Sequence, residues 1–327
     1  MKRYFATLSL LALMTVSAQS AETIRMLAPT WLGFAPVHVA NDLGCFSQEG
    51  LEVDYKFEDD RANVLAAYAR GDIDVDMRTV GEHQGRPRDA ATPGVIIGTI
   101  DESRGGDGVI TDESVKSVAD LKGKTIAAEP NIPARLLLQM ELKKAGLTLA
   151  DVQIKDIATA DTAAIFADTS IAAIATYEPF MSQAVKNSSR PGARVFFSSR
   201  DYRGIIIDVI TARREDLAAN PKKYQSFLKC IYKAVDYSKA EPAKYAELAA
   251  PHFGLTPAEV TEILTTSLAY TSAADAAAYL GKVGAKGTLH DIFDTVMALN
   301  LENGAADAKL DAAQQIDSSV INAVVGQ

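Results

Sequence analysis

The sequence predicts an α/β protein of two doubly wound α/β lobes joined by a two-strand hinge, with a helical C-terminal tail. Three observations carry this. Short apolar runs alternate with alanine-rich or amphipathic stretches from Ile24 to Phe197, the pattern of strands linked by crossover helices. A long apolar run, Gly204 to Thr211, comes next, and everything after it reads as helix. No repeat or low-complexity linker separates the parts, which suits two crossing strands better than a tether. At 327 residues the chain can hold two cores.

The elements follow in order. Ile24 to Ala28 reads as a strand, and Pro29, Thr30 and Gly33 as a turn carrying Trp31 and Phe34. A helix runs from Ala35 or Pro36 to about Leu43, with Gly44 able to take the left-handed conformation that ends it. Leu51 to Phe57 is the second strand, Asp60 or Arg61 begins an alanine-rich helix ended by Gly71, and Ile73 to Met77 is the third strand. The polar stretch Gly81 to Pro93 reads as loop with a short helix. Further strands fall at Val95–Ile100, Asp107–Thr111, Lys124–Ala128, Val152–Ile157, Ile171–Thr176 and Ala193–Phe197. Between them lie a helical turn at Ser117–Leu121 and helices at 133–145, 161–167 and 178–186. Pro133 suits a first helical turn. The tail reads as helices at 214–219, 221–239, 242–253, 257–268, 275–283 and 289–301, with a last one from about Asp317.

The N-terminus is a leader in three parts: Lys2-Arg3, an apolar run from Tyr4 to Val16, and small residues from Ser17 to Ala21. This is the secretory pattern, so residues 1–21 are read as a signal peptide and the mature chain is expected in the periplasm. No cysteine follows the apolar run, so no lipid anchor is expected. No later segment approaches the roughly 18 apolar residues of a membrane span. The formal charge is −9; losing Lys2 and Arg3, with no acid before Glu22, makes it −11. That excess argues against nucleic acid or an anionic membrane as partner.

Several motifs fail on inspection. Gly123-Lys124-Thr125 lacks the glycine five residues earlier that a P-loop needs, since Val118 stands there. Gly281, Gly284 and Gly287 neither fit the dinucleotide spacing nor follow a strand. His38, His83, His252 and His290 have no metal-ligand spacing, so no metal or cofactor is expected. No Gly-x-Ser-x-Gly elbow occurs. Cys45 and Cys230 are the only cysteines; with no local nucleophile signature and so far apart, they are expected as two unpaired thiols, and an enzyme is not expected.

What recurs instead is polar groups at strand ends: Asp59 and Asp60, Arg78, the run Asp101-Glu102-Ser103, Glu129, Tyr177-Glu178, and Asp208 inside the return strand. Any one of them can be a loop residue or a helix cap. Together they would line a crevice between lobes, where small polar ligands bind. Trp31 and Phe34 either face that ligand or plug the core. Arg78 and the free backbone amides near Asn131 suit an anion, while Asp107, Glu178 and Asp208 suit an amine or another donor.

The run W-x-G-F-A-P…A-x-x-x-G-x-F…E-G-L-x-V from Trp31 to Val53 resembles the nitrate/sulfonate/taurine-type substrate-binding proteins of ABC importers. Further matches come in order: Asp101–Asp107 (DESRGGD), Asp120–Lys124 (DLKGK), the helix LLLQMELKKAGL with Asp151-Val152 after it, Tyr177–Phe180 (YEPF) and Ile206–Val209 (IIDV). The resemblance implies a type II periplasmic-binding-protein fold, with residues 22–105 plus 209–327 as lobe 1 and 106–208 as lobe 2. It implies a monomer that closes over a small organic anion or zwitterion, sulfonate- or taurine-like, and delivers it to a permease with its ATPase. It places Trp31, Ser103, Asp107, Asn131, Glu178 and Asp208 toward the cleft. The segment from Arg78 to His83 departs from the smaller, glycine-containing segment usual in the family. Two alternatives share the fold: a pyrimidine-precursor enzyme and a periplasmic sensory partner of a membrane receptor.

Overall fold

A computed structural model describes residues 21–85 and 94–326. The leader through residue 20 and the part of the Gly81–Pro93 stretch beyond Gly85 lie outside them. Two sheets organise the chain. The first is built from β1 (Glu22–Ala28), β2 (Leu51–Phe57), β3 (Val75–Thr79), β4 (Gly94–Ser103), β10 (Ile207–Arg213) and β11 (Leu268–Tyr270), in the order β11-β4-β10-β3-β1-β2. The second takes β5 (Asp107–Thr111), β6 (Thr125–Ala128), β7 (Gln153–Asp156), β8 (Ile171–Tyr177) and β9 (Arg194–Ser198), in the order β7-β6-β8-β5-β9. The chain passes between sheets twice, from Ser103 to Asp107 and from Ser198 to Ile207.

Parallel pairing holds where a helix returns the chain, as in β1 with β2 and β3, and β6 with β7 and β8. The two crossing strands break the wholly parallel expectation. β10 runs antiparallel to β3 and β4, and β5 antiparallel to β8 and β9. Each arrives from the hinge at the carboxyl ends of the other strands, so it can only enter its sheet running backwards.

Local chemistry accounts for the helix ends near the cleft. Asp60 accepts from the Ala62 N–H and caps the helix Arg61–Arg70, which stops at Gly71 in the left-handed conformation, φ 80°. Thr79 and Glu82 form a reciprocal capping box for the short helix Val80–Gln84.

Several expectations are corrected. β3 lies two residues later than predicted, so Arg78 and Thr79 belong to the strand and not to the loop beyond it. The 161–167 helix shrinks to a 3-10 turn and one turn of helix, Thr162–Ile165. The helix expected from Glu178 starts at Phe180. The tail is not wholly helical: Leu268–Tyr270 adds an edge strand to β4, too short to stand out in a helical pattern.

The cysteines are also corrected. Cys45 and Cys230 form a disulfide, with Cα atoms 5.6 Å apart. The helix Ala35–Asp42 packs against the tail helix Pro221–Ala240, and Phe46 stacks on Phe227 at 5.6 Å. That docking brings together two residues 185 positions apart.

Candidate functional site

The side chains predicted for a ligand divide between two spaces. The inner one is a small cavity of about 20 Å³. Pro29, Trp31, Phe34, Thr79, Glu82 and Asp208 wall it from the side of the first sheet, and Asp107, Pro133 and Tyr177 from the side of the second. The outer one is a cleft of about 580 Å³ whose lining includes Asp60, Asn131, Arg135, Gln139 and Asn300. The turn from Asn131 to Pro133 borders both.

Trp31 forms one wall of the inner space. Its indole N–H donates to Asp101 Oδ2 at 3.2 Å, and its ring meets Tyr177 edge-on with centroids 6.2 Å apart. Two glycines make this possible. A Cβ at Gly33 would lie 2.1 Å from both Asp101 Oδ2 and the indole nitrogen, and one at Gly106 would lie 2.4 Å from the far edge of the ring. Trp31 therefore reaches from the first lobe to the crossing segment and touches the second lobe. It is 4% exposed, packed in the core, and also lines the cavity.

The polar lining is acidic. In the β10 register Asp208 sits between Thr79 of β3 and Asp101 of β4, and Asp107 pairs with Tyr177 across β5 and β8. Burial lifts the Asp107 carboxyl to about 8, against a hydrogen bond from Ser103 that lowers it. Burial lifts Asp101 to about 7, and it lifts Asp208 well above the carboxylate range with help from the charge of Asp101. Asp101 and Asp208 stand opposite one another across β4 and β10, so the charge of one opposes ionisation of the other. Among the described residues none of the three makes an ion pair with a lysine, arginine or histidine.

The remaining predicted residues are turned elsewhere. Arg78, 2% exposed, donates to Glu82 Oε1 at 3.1 Å and to the Glu58 carbonyl at 3.1 Å, with Asp76 3.8 Å away. Its guanidinium is committed to these groups and does not line the cavity. Ser103 bonds Ser199 Oγ at 2.8 Å beneath the crossing segment. Glu178 accepts from the Ser182 N–H and hydroxyl at the start of the helix Phe180–Asn187. Asp60 caps its helix on the rim of the outer cleft.

Sequence reasoning missed Thr79, Glu82, Pro29 and Pro133 as lining residues. The Thr79-x-x-Glu82 spacing is a readable capping-box signal and could have located the first two. Asp101 was noted at its strand end without a role, because its pairing with Trp31 and Asp208 is made across the sheet. Among the described residues no cluster of histidine, cysteine and acids could hold a metal, and no helix is long and apolar enough to cross a membrane.

Comparison with known proteins places this geometry. The NMT1/THI5-like family model matches residues 31–245. A Brucella abortus (strain 2308) chain named only as a candidate binding protein is 27% identical over 263 residues, covering 76% of this chain and 78% of that one. The alkanesulfonate-binding protein SsuA from Xanthomonas axonopodis pv. citri, solved with MOPS, superposes with a TM-score of 0.77 at 17% identity, over 92% of this chain and all of that one. The periplasmic nitrate-binding protein NrtA from Synechocystis PCC 6803 gives 0.70 at 12% identity, over 93% and 86%. An enzyme shares the fold as well: the desulfurization enzyme DSZB gives 0.66 at 14% identity, over 93% and 99%. At these identities the structural likenesses establish the fold, while the family match covers well over half of the chain. The chain belongs to the NMT1/THI5-like family, with the two-lobed architecture of the nitrate/sulfonate/taurine-type binding proteins.

Proposed function

We propose that this chain is a periplasmic solute-binding protein that closes its two lobes over a small organic solute and presents it to the permease of an ABC importer. One observation carries the reading: the inner cavity is walled by both lobes, with Trp31 and Asp208 on one side and Asp107 and Tyr177 on the other. A solute touching both sides favours the closed arrangement by its extra contacts there. The wide outer cleft is the route by which it enters.

Of the anion or zwitterion implied by the family resemblance, the lining favours a solute with a positive end, because Arg78 is held by Glu82 and Glu58. The enzymatic alternative has no cysteine nucleophile to draw on, since Cys45 and Cys230 are bonded to each other. Lobe boundaries near residues 105 and 208 belong to the same proposal, as does a monomeric mature chain.

Trp31 is the only tryptophan of the chain, so its fluorescence reports directly on the cavity. Purified mature protein is titrated with amines, amino-sulfonates, sulfonates, carboxylates, ureas and pyrimidines, following emission and melting temperature. A true solute at 100 times its Kd stabilises the fold by about 2.7 kcal/mol. No emission change and no stabilisation from any class would refute the proposal.

A further inference from the structure

The inner cavity has an unbalanced chemistry that the solute must complete. Glu82 is matched by Arg78 at 3.1 Å. Asp107 and Asp208 line the same space without any cationic partner among the described residues. A second, separate observation comes from Asp208 itself. It is 4% exposed, and among the described residues no N–H or hydroxyl donates to its carboxyl; its neighbour across β4 is the equally buried Asp101. An acceptor buried that deeply without a donor costs free energy, and a donor-rich positive group beside Asp208 relieves it.

The walls and the size agree. Trp31 and Tyr177 meet edge-on there, and aromatic walls attract cations. The cavity of about 20 Å³ is just large enough for one water-sized group, and an –NH3⁺ head is of that size. A sulfonate head, with three oxygens on sulfur, is larger and would face unpaired acids.

We propose that the inner cavity takes the protonated nitrogen of a small ammonium-bearing solute, with Asp107 and Asp208 as its counter-ions and Trp31 and Tyr177 as its aromatic walls. This rests on the solute-binding reading above and specifies the chemical class that the site recognises.

The proton balance follows. The groups facing Asp208 are Asp101 from β4, Asp107 from β5 and Glu82 from the helix Val80–Gln84, the last already paired with Arg78. Tyr177 faces Asp107 from β8. Glu129 and Glu178 are engaged with Thr159 and Ser182. Without solute, burial keeps protons on the aspartates near neutral pH. An arriving ammonium keeps its own proton and ionises a carboxyl beside it, so the carboxyl proton passes to the buffer. Affinity for a fixed cation therefore rises with pH up to about 8.

The test uses the purified mature chain and matched two-carbon probes: ethylammonium, ethanolammonium, taurine and ethanesulfonate. Each is titrated calorimetrically at pH 7.5 in two buffers of different ionisation enthalpy. The ammonium probes should bind at least tenfold more tightly than ethanesulfonate and release protons on binding. Asp208→Asn and Asp107→Asn should each weaken ammonium binding at least tenfold, with melting temperature confirming that the variants fold. Ethanesulfonate binding more tightly than the ammonium probes, or Asp208→Asn leaving the ammonium affinity unchanged, would overturn the ammonium site and leave the transport reading standing. A chain that binds no probe of either charge at millimolar concentration overturns both.

Discussion

The disulfide offers the most direct test of how the tail helices brace the first lobe. The perturbation is Cys45→Ala with Cys230→Ala, which removes the bridge without leaving a lone thiol. Cys230 is fully buried and Cys45 nearly so, so each change also removes one packed sulfur. The bond closes a loop of 185 residues. In the chain-entropy account a loop of that length stabilises by about 5 kcal/mol, and residual order in the unfolded chain lowers the realised value to about 3–5 kcal/mol. For a chain of this size about 1 kcal/mol corresponds to about 2 °C. The double variant should therefore melt about 6–10 °C lower, and the parent protein in strong reductant should fall nearly as far. Thermal melts of both proteins with and without reductant read this directly. Equal melting temperatures for all four samples, together with two titratable thiols in the denatured, unreduced parent, would refute the reasoning. Such a result would restore the pair of free thiols expected from sequence.

Two further outcomes follow from charges. Asp101 and Asp107 are lifted to about 7 and about 8, above the usual aspartate value of about 3.9. The folded state therefore holds protons that the unfolded chain has released, and the associated stability, full below about pH 4, is lost as pH rises through 7 and 8. Buried His38, lowered to about 3, works in the opposite sense only below about pH 6.5. Urea melts between pH 6.5 and 8.5 should thus show the ligand-free protein losing up to about 1.4 kcal/mol per pH unit for each group still titrating, and Asp107→Asn should flatten the slope; rising stability across that window would contradict the burial of these acids. Across the cleft, Lys143 pairs with Glu302 at 2.6 Å and Lys186 with Glu259 at 3.0 Å, all on exposed flanks. Replacing both lysines by alanine should weaken solute binding about two- to fivefold at low salt and hardly at all at high salt; equal loss at both ionic strengths would mean that these pairs do not hold the lobes closed.

Much of this architecture was legible because it is local. Leu51–Phe57, Pro133–Lys144 and the stops at Gly44 and Gly71 are written in short patterns of apolar spacing and backbone freedom, and the observed elements follow them closely. Leu268–Tyr270 was not legible, since three residues between helices acquire their strand character only from pairing with β4. The same limit applied to the site. Trp31, Phe34, Asp107, Tyr177 and Asp208 could be picked out as groups at strand ends on one edge, and they meet around one cavity. Arg78 looked from sequence like the group to hold an anion. In the folded chain Glu82 and the Glu58 carbonyl claim its guanidinium, because β3 extends two residues further and buries it.

By itself, the sequence determined the alternation of strands and helices, the two crossings between lobes and the set of polar groups at the cleft edge, because each depends on neighbours within a turn or a strand. Tertiary structure alone decided which of those groups face one another. The Asp101–Asp208 pair joins strands more than a hundred positions apart, and the Cys45–Cys230 bond is made only after the tail helices dock on the first lobe. Charge balance in the cavity is a property of those long-range pairings, and no local pattern encodes it.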